Sequence, residues 1–305
     1  GRKGMKYGAL AALLLISGCV TPPPATPPAP ALSVFVVAHP DDWQLFMNPD
    51  AFQAMNGPNR KAVFIHVTWG HAGKGVGGEP TPYYLAREEG ALRAIRFLAN
   101  AVDATAALGA DTKPEAVERA GHKVARHTYA NAVAYFLRIH DGKIVNGDDA
   151  QEHPLALDRL RLGTSATTKS IDGSATYAGW ADLVATLEAV IKSELAPGTA
   201  LNLHIAELDE GRNPGDHPDH RAVAFAMEEV AAHLPCARIS RHEEYATRDR
   251  KINVTGYNYM IDAGTWAATA SGLSDLHAGS TWEPGHNSWV GRDYHRTQEP
   301  RGTWG

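Results

Sequence analysis

The stretch that decides the fold is LSVFVVAHPDD, residues 32–42, where an apolar run leads directly into polar residues. Residues 32–38 are almost wholly apolar and rich in β-branched side chains, which predicts a strand buried on both faces, as in a parallel sheet. His39, Asp41 and Asp42 follow this strand at once. In open α/β sheets, ligands bind at the carboxyl ends of strands. The stretch therefore predicts both a central strand and a site at its end.

Apolar strands alternate with amphipathic helices along the rest of the chain. Further strands are predicted at residues 62–68, 124–129, 132–139 and 200–206. Helical spacing of apolar side chains predicts helices at residues 83–98, 180–195 and 217–234. This alternation predicts an α/β fold, a Rossmann-like and mainly parallel sheet with helices on both faces. Residues 141–173 are interpreted as a long loop or insertion beside the site.

The N-terminal segment has the features of a bacterial export signal. A short basic region precedes an apolar run at residues 7–16, which is shorter than the roughly 20 residues that span a bilayer. Small residues then precede Cys19, an order that resembles a lipobox. We expect a lipoprotein signal peptide at residues 1–19, a Pro-rich tether at residues 20–31 and one domain at residues 32–305. The lipid on Cys19 would anchor the protein to a membrane, facing the periplasm or the cell exterior; an ordinary signal peptide is the alternative.

Composition narrows the class of protein further. The chain has 305 residues, of which 44% are hydrophobic, as in a globular protein. A formal net charge of −5 argues against a dedicated nucleic-acid binder, so we expect no nucleic-acid partner. The two cysteines, Cys19 and Cys236, do not make a disulfide framework if the first carries lipid.

A second polar cluster, Asp216-His217-Pro218-Asp219-His220, follows another predicted strand and begins a helix. The carboxyl ends of parallel strands share one edge of a sheet, so the two clusters are expected to converge. His and Asp are zinc ligands, and a catalytic zinc usually has three protein ligands and one open position. A lone His-Pro-Asp is more often a capped turn. Two of them, each after a predicted parallel strand, favour a metal site.

The motifs His-Pro-Asp-Asp at 39–42 and His-Pro-Asp-His at 217–220 resemble those of the PIG-L/LmbE-like de-N-acetylases. These zinc-dependent enzymes remove acetyl from N-acetylglucosaminyl groups. Thr68-Trp69-Gly70 also resembles the family's Thr-x-Gly, and the helix at Arg87 resembles its Arg/Glu-bearing helix less closely. The resemblance covers residues 34–234 and weakens after about residue 240.

The resemblance implies a role for each motif residue. His39, Asp42 and His220 would bind Zn²⁺, or another divalent metal such as Fe²⁺. Asp41 would be the general base, and His217, as a cationic imidazole, would steady the oxyanion or protonate the leaving amine. Zinc lowers the pKa of a bound water to about 7, and a nearby carboxylate that is not a ligand can take the proton. The expected reaction is removal of acetyl from an N-acetylated amino sugar or glycoconjugate.

Three further residues are expected to contact substrate. Trp43 stands where the family usually has Glu and is expected to stack on a sugar face. The other two are His71, on a Gly-rich loop, and Arg87.

Two other functions remain open: a lipoprotein that binds glycans without catalysis through aromatic side chains near the C-terminus, or an amidase on a glycoside conjugate. Asp41 argues against the first, because a pure binder needs no spare carboxylate beside the metal.

Overall fold

The computed structural model describes residues 26–71, 80–103, 112–142 and 156–302. Within these ranges the main strands are β1 (Ala31–Val37), β2 (Arg60–Thr68), β3 (Lys113–Arg119), β4 (His122–Tyr129), β5 (Ala132–Ile139), β8 (Ala200–Ala206), β9 (Ala237–His242) and β10 (His295–Gln298). They form one sheet in the order β10-β9-β8-β1-β2-β5-β4-β3. Two short strands, β6 (Thr168–Lys169) and β7 (Thr176–Tyr177), pair separately.

The centre of the sheet is parallel and its margins are antiparallel. β1 pairs in parallel with β2 and β8, while β2 pairs in parallel with β5 and β8 with β9. β3, β4 and β10 join as antiparallel strands. Every residue of β1 is buried, as expected of a central strand covered on both faces.

The described helices are α1 (Asp42–Phe46), α2 (Asp50–Met55), α3 (Tyr83–Val102), α4 (Leu157–Leu162), α5 (Trp180–Glu194), α6 (Pro218–Ala232), α7 (Gly256–Asp275) and α8 (Pro284–Asn287). Successive side chains of a strand point to opposite faces, so the side chains of β1 contribute to two apolar layers, one on each side of the sheet. Val34 and Val36 pack with residues of α5 and α6, whereas Phe35 and Val37 pack with residues of α1, α2, α3 and α7. The predicted α/β class, with helices on both faces of a mainly parallel sheet, is confirmed.

Several elements differ from the predictions. The region 141–173 is predicted to be a long loop or insertion, and its described part contains the short elements α4 and β6 rather than loop alone. β3 escaped prediction because KPEAVER is largely exposed and has no apolar run. α7 is rich in Gly, Ser and Thr, which are weak helix formers, and packs along α3; tertiary packing therefore supports this helix more than its own propensity does.

The predicted signal peptide, Cys19 and the first part of the tether lie outside the described residues. Residues 26–30 are exposed and have no regular structure, and β1 begins at Ala31, one residue before the predicted boundary of the domain. Among the described helices, none combines the length and apolar character that crossing a membrane requires.

Candidate metal centre

The two motifs meet at one edge of the sheet because β1 and β8 are adjacent and parallel. β1 ends at Val37, and the backbone N–H of His39 donates to Asp42 Oδ2 at 2.7 Å, which closes the turn into α1. After β8, α6 begins with His217 as its N-cap, whose side chain accepts the backbone N–H of Asp219, and with Pro218 in its first turn, where proline is favoured. Local turn chemistry thus aims each motif at the same space.

Three side chains place ligand atoms close together. His39 Nδ1 lies 3.1 Å from His220 Nε2 and 3.3 Å from Asp42 Oδ2, and His220 Nε2 lies 3.2 Å from Asp42 Oδ1. A tetrahedral zinc site with bonds of about 2.0–2.1 Å separates its ligand atoms by about 3.3 Å. All three residues are buried. The donor set therefore fits zinc, and three protein ligands leave a fourth position open.

The remaining nitrogens of both imidazoles face carboxylates. His220 Nδ1 lies 2.8 Å from Asp216 Oδ1 and 2.6 Å from Glu244 Oε2, although only the contact with Asp216 has the geometry of a hydrogen bond. His39 Nε2 lies 3.3 Å from Asp219 Oδ2. Carboxylates in this position fix the tautomer and orient the nitrogen that faces a metal.

Sequence reasoning assigned no role in the site to these three carboxylates. Asp219 is fully buried and accepts the backbone N–H of Gly142 at 2.8 Å and 3.0 Å on its two oxygens. Asp216 and Asp219 stand next to the histidines of the second motif. This position in the sequence could have indicated that they contact the site. Glu244 follows β9, beyond the span of the resemblance, and no sequence feature marked it.

The electrostatics of the cluster favour a cation. Burial by itself would lower the pKa of His39. The negative charge of Asp42 is the largest of the effects that act in the opposite direction, and together they raise the pKa to about 10. The pKa of His220 is raised well above its usual value, because Asp42 and Glu244 outweigh burial. Burial raises the pKa of Glu244 to about 8. A divalent cation would supply the positive charge that two imidazole protons otherwise provide.

Asp41 lies beside this group and has a different partner. The guanidinium of Arg87 donates to Asp41 Oδ1 and, at 2.9 Å, to the carbonyl of Gly70. Gly70 has φ +65°, and a Cβ there would lie 2.9 Å from both Arg87 and Pro40, so the position requires glycine. Arg87 thus orients the carboxylate of Asp41, and its expected contact with substrate stays a prediction.

His217 faces the site as a neutral donor. Its Nδ1 accepts the backbone N–H of Asp219 at 3.0 Å, so the proton of the neutral ring is on Nε2. Burial and the nearby charge of His39 lower its pKa to about 4. In this geometry His217 offers a neutral N–H, and its catalytic role stays a prediction.

The other two expected substrate contacts have different outcomes. Trp43 is fully buried, donates from Nε1 to His66 Nε2 at 3.1 Å and packs on Phe64 with ring centroids 4.4 Å apart. Its burial contradicts the expected stacking on a sugar, because neither ring face is open.

His71 is buried against Trp69, with ring centroids 4.3 Å apart, and its role in substrate binding stays a prediction. Residues 72–79 of its loop lie outside the described residues.

The aromatic side chains near the C-terminus divide between buried and exposed positions. Trp266 and Trp289 are buried, and Trp289 stacks on Tyr245 with ring centroids 5.0 Å apart. Tyr245 in turn lies 5.0 Å from the ring of His220. Trp282 is half exposed, at 50% of its surface. Trp266 and Trp289 therefore line the core or the wall of the candidate metal centre, whereas Trp282, Tyr257 and Tyr259 are exposed. Trp304 lies outside the described residues.

The comparisons with known proteins found similarity among solved structures. No protein-family model matches the sequence, and no curated protein matches it. Among solved structures, the chain is similar to N,N'-diacetylchitobiose deacetylase from Pyrococcus horikoshii, which was solved with an inhibitor. The sequences are 14% identical, the TM-score is 0.47, and the match covers 88% of this chain and 84% of that chain. A similarity at this level assigns neither a family nor an activity to the chain.

Proposed function

We propose that the protein is a zinc-dependent hydrolase that removes acetyl from an N-acetylated amino sugar. The observation that carries the reaction class is the group His39, Asp42 and His220, whose ligand atoms lie 3.1 to 3.3 Å apart, with the carboxylate of Asp41 beside it. The substrate class rests on the resemblance of the two motifs to the PIG-L/LmbE-like de-N-acetylases.

Each step of the proposed reaction uses a different side chain. A bound zinc ion would supply Lewis-acid chemistry toward water and the acetamide oxygen. Asp41 takes a proton from the attacking water. Arg87 donates to its Oδ1, whereas no hydrogen bond among the described residues involves its Oδ2, so Oδ2 can accept that proton. The Nε2–H of His217 donates to the acyl oxygen as negative charge develops on it. Asp41 then passes the proton to the amine nitrogen as the C–N bond breaks, which releases acetate.

Acetate release tests this proposal directly. The zinc-loaded protein is incubated with N-acetylglucosamine, its β-linked oligomers and, as a non-sugar control, N-acetylglycine. We expect acetate from a sugar substrate and none from N-acetylglycine. Sugar binding without acetate release would instead support the non-catalytic glycan binder, and release of a different acid from a glycoside conjugate would support the amidase.

We also propose that the chain is a lipoprotein, with Cys19 anchored to a membrane ahead of a single domain at residues 32–305. The support is the order of basic residues, apolar run and small residues before Cys19, together with the exposed, irregular residues 26–30. In a bacterial host, the full chain should incorporate a fatty-acid label and sediment with membranes. Cys19→Ser should lose the label; an equally labelled variant would contradict the anchor.

A further inference from the structure

A second group of imidazoles lies on the sheet and shares no residue with the first. His204 is on β8, His242 ends β9 and His295 begins β10. His242 pairs directly with His295, and His204 pairs with Ser240, two residues before His242. Because side chains two apart share a face of a strand, all three imidazoles lie on the same face of neighbouring strands.

One carboxylate oxygen faces all three rings. Asp50, the first residue of α2, places Oδ2 3.6 Å from His204 Nδ1, 3.8 Å from His242 Nε2 and 3.8 Å from His295 Nε2. His204 Nδ1 and His242 Nε2 are 3.0 Å apart. These separations bracket the spacing of about 3.3 Å between ligand atoms of a tetrahedral zinc site. A cation between them would need only small side-chain movements.

A second carboxylate orients two of the rings from behind. Asp293 Oδ1 lies 3.1 Å from His242 Nδ1 and 2.9 Å from His295 Nδ1. When both Nδ1 atoms donate to Asp293, both Nε2 atoms are unprotonated and face Asp50. Carboxylates behind metal-binding histidines work in this way. The ring of His204 is held separately, stacked on Phe35 with ring centroids 4.2 Å apart.

Access and charge are also suitable for a metal ion. A cavity of about 300 Å³ opens onto Asp50, His204 and His295, and the rest of its lining is mostly polar, including the cationic Arg60 and Arg238. Arg238 is paired with Glu299. The ion thus has an entry path, which a metal site requires. The carboxylates of Asp50 and Asp293 carry the two negative charges that balance a divalent cation when the imidazoles are neutral.

We propose that Asp50, His204, His242 and His295 form a second metal site, which binds a divalent transition metal such as Zn²⁺. Imidazole ligands favour zinc and its neighbours, whereas Mg²⁺ and Ca²⁺ prefer oxygen ligands. Four protein ligands fill a tetrahedral shell, as in structural rather than catalytic zinc sites. The ion would fasten β10, the edge strand, and the start of α2 to the sheet. This proposal does not depend on the function proposed above.

Zinc stoichiometry of the full chain tests this second site. After zinc loading and dialysis, elemental analysis should find two equivalents in the wild type, one in His39→Ala and none in the double variant His39→Ala/His295→Ala. His233, exposed and paired with Glu188 away from both sites, supplies the control. His39→Ala/His233→Ala should retain one equivalent. An equivalent retained by His39→Ala/His295→Ala, or none bound by His39→Ala, would overturn the proposal.

Thermal unfolding separates loss of the site from loss of the fold. In the His39→Ala background, added Zn²⁺ should raise the midpoint of unfolding and saturate at one equivalent, because the ion binds only the folded state. Adding Asp50→Asn should abolish this rise while circular dichroism keeps the wild-type helical signal. A zinc-dependent rise that survives Asp50→Asn would rule out the assigned ligands. If the first site alone is misassigned, the wild type and His39→Ala bind the same single equivalent.

Discussion

Asp41 and Asp42 are neighbours with identical side chains, yet the structure gives them different partners. Asp42 points back to the backbone of His39 and to His220, whereas Asp41 is held by Arg87. Charge alone cannot separate these two carboxylates. The start of α1 at Asp42 aims one of them into the ligand group and leaves the other at its side.

Matched substitutions at these neighbours should separate binding from chemistry. Asp41→Asn can still accept the bond from Arg87 but cannot take a proton, so zinc should stay while kcat falls about 10²- to 10⁴-fold. Asp42→Asn should instead reduce zinc content, because a neutral amide replaces a charged ligand. Elemental analysis and acetate release measure the two effects. Equal turnover in wild type and Asp41→Asn would remove the general-base role.

Asp219 should act on the metal through His39. Asp219→Asn keeps an acceptor for the backbone N–H of Gly142 but loses the charge facing His39 Nε2. We expect zinc affinity to fall about 10- to 100-fold, the usual effect of removing a carboxylate behind a ligating histidine. Competition with a chromogenic chelator measures it. Asp275→Asn, an exposed position at the end of α7, is the control. Unchanged affinity in Asp219→Asn would mean that His39 is oriented without it.

At the scale of elements, the packing of α3 against α7 depends on glycine. A Cβ at Gly272 would lie 2.7 Å from the backbone of Gly90, so the two helices approach at backbone contact. This pairing closes the apolar layer on the side of the sheet that α1 and α2 also cover. Close helix contact thus compensates for the weak helix propensity of α7.

Gly272→Ala should therefore destabilise the protein although alanine is the better helix former. The clash should cost about 1–3 kcal/mol of the free energy of unfolding, more than the gain of about 1 kcal/mol in helix propensity. Urea denaturation measures the difference. Ser271→Ala, at the exposed neighbouring position, should change stability by less than about 0.5 kcal/mol. A stabilised Gly272→Ala would show that the helices can separate without loss.

At the scale of the whole molecule, a buried carboxyl couples stability to pH. Asp262 on α7 accepts the backbone N–H of Gly291 at 2.6 Å, and burial raises its pKa from 3.8 to about 8. Between about pH 4 and pH 8 the unfolded chain releases this proton while the folded chain keeps it. The unfolded state then binds fewer protons, so this group makes stability fall as pH rises.

Asp262→Asn should remove that contribution. Relative to the wild type, the variant should gain stability with rising pH, by at most about 1.4 kcal/mol per pH unit between pH 5 and pH 7. Urea unfolding at several pH values measures it, with Asp275→Asn on the same helix as the exposed control. Parallel pH profiles for wild type and Asp262→Asn would show that Asp262 is ionised in the folded protein.

The sequence by itself determined the central strands and the two motifs. The apolar run of residues 32–38 is a local pattern that only burial on both faces satisfies, and the tight turns at the His-Pro-Asp segments use neighbouring residues. Parallel pairing then required both motifs to emerge at one edge. The α/β class and the convergence of His39 with His220 were therefore predictable.

Only the tertiary structure decided what each side chain faces. Trp43 is buried in the core, and Arg87 turns to Asp41, because α1 and α3 pack against the same side of the sheet. Glu244 reaches His220, and His295 joins His242, through the positions of β9 and β10. Local sequence patterns indicate which residues are buried and where the chain turns. Contacts between residues far apart in sequence depend on strand order and register, which no local pattern encodes.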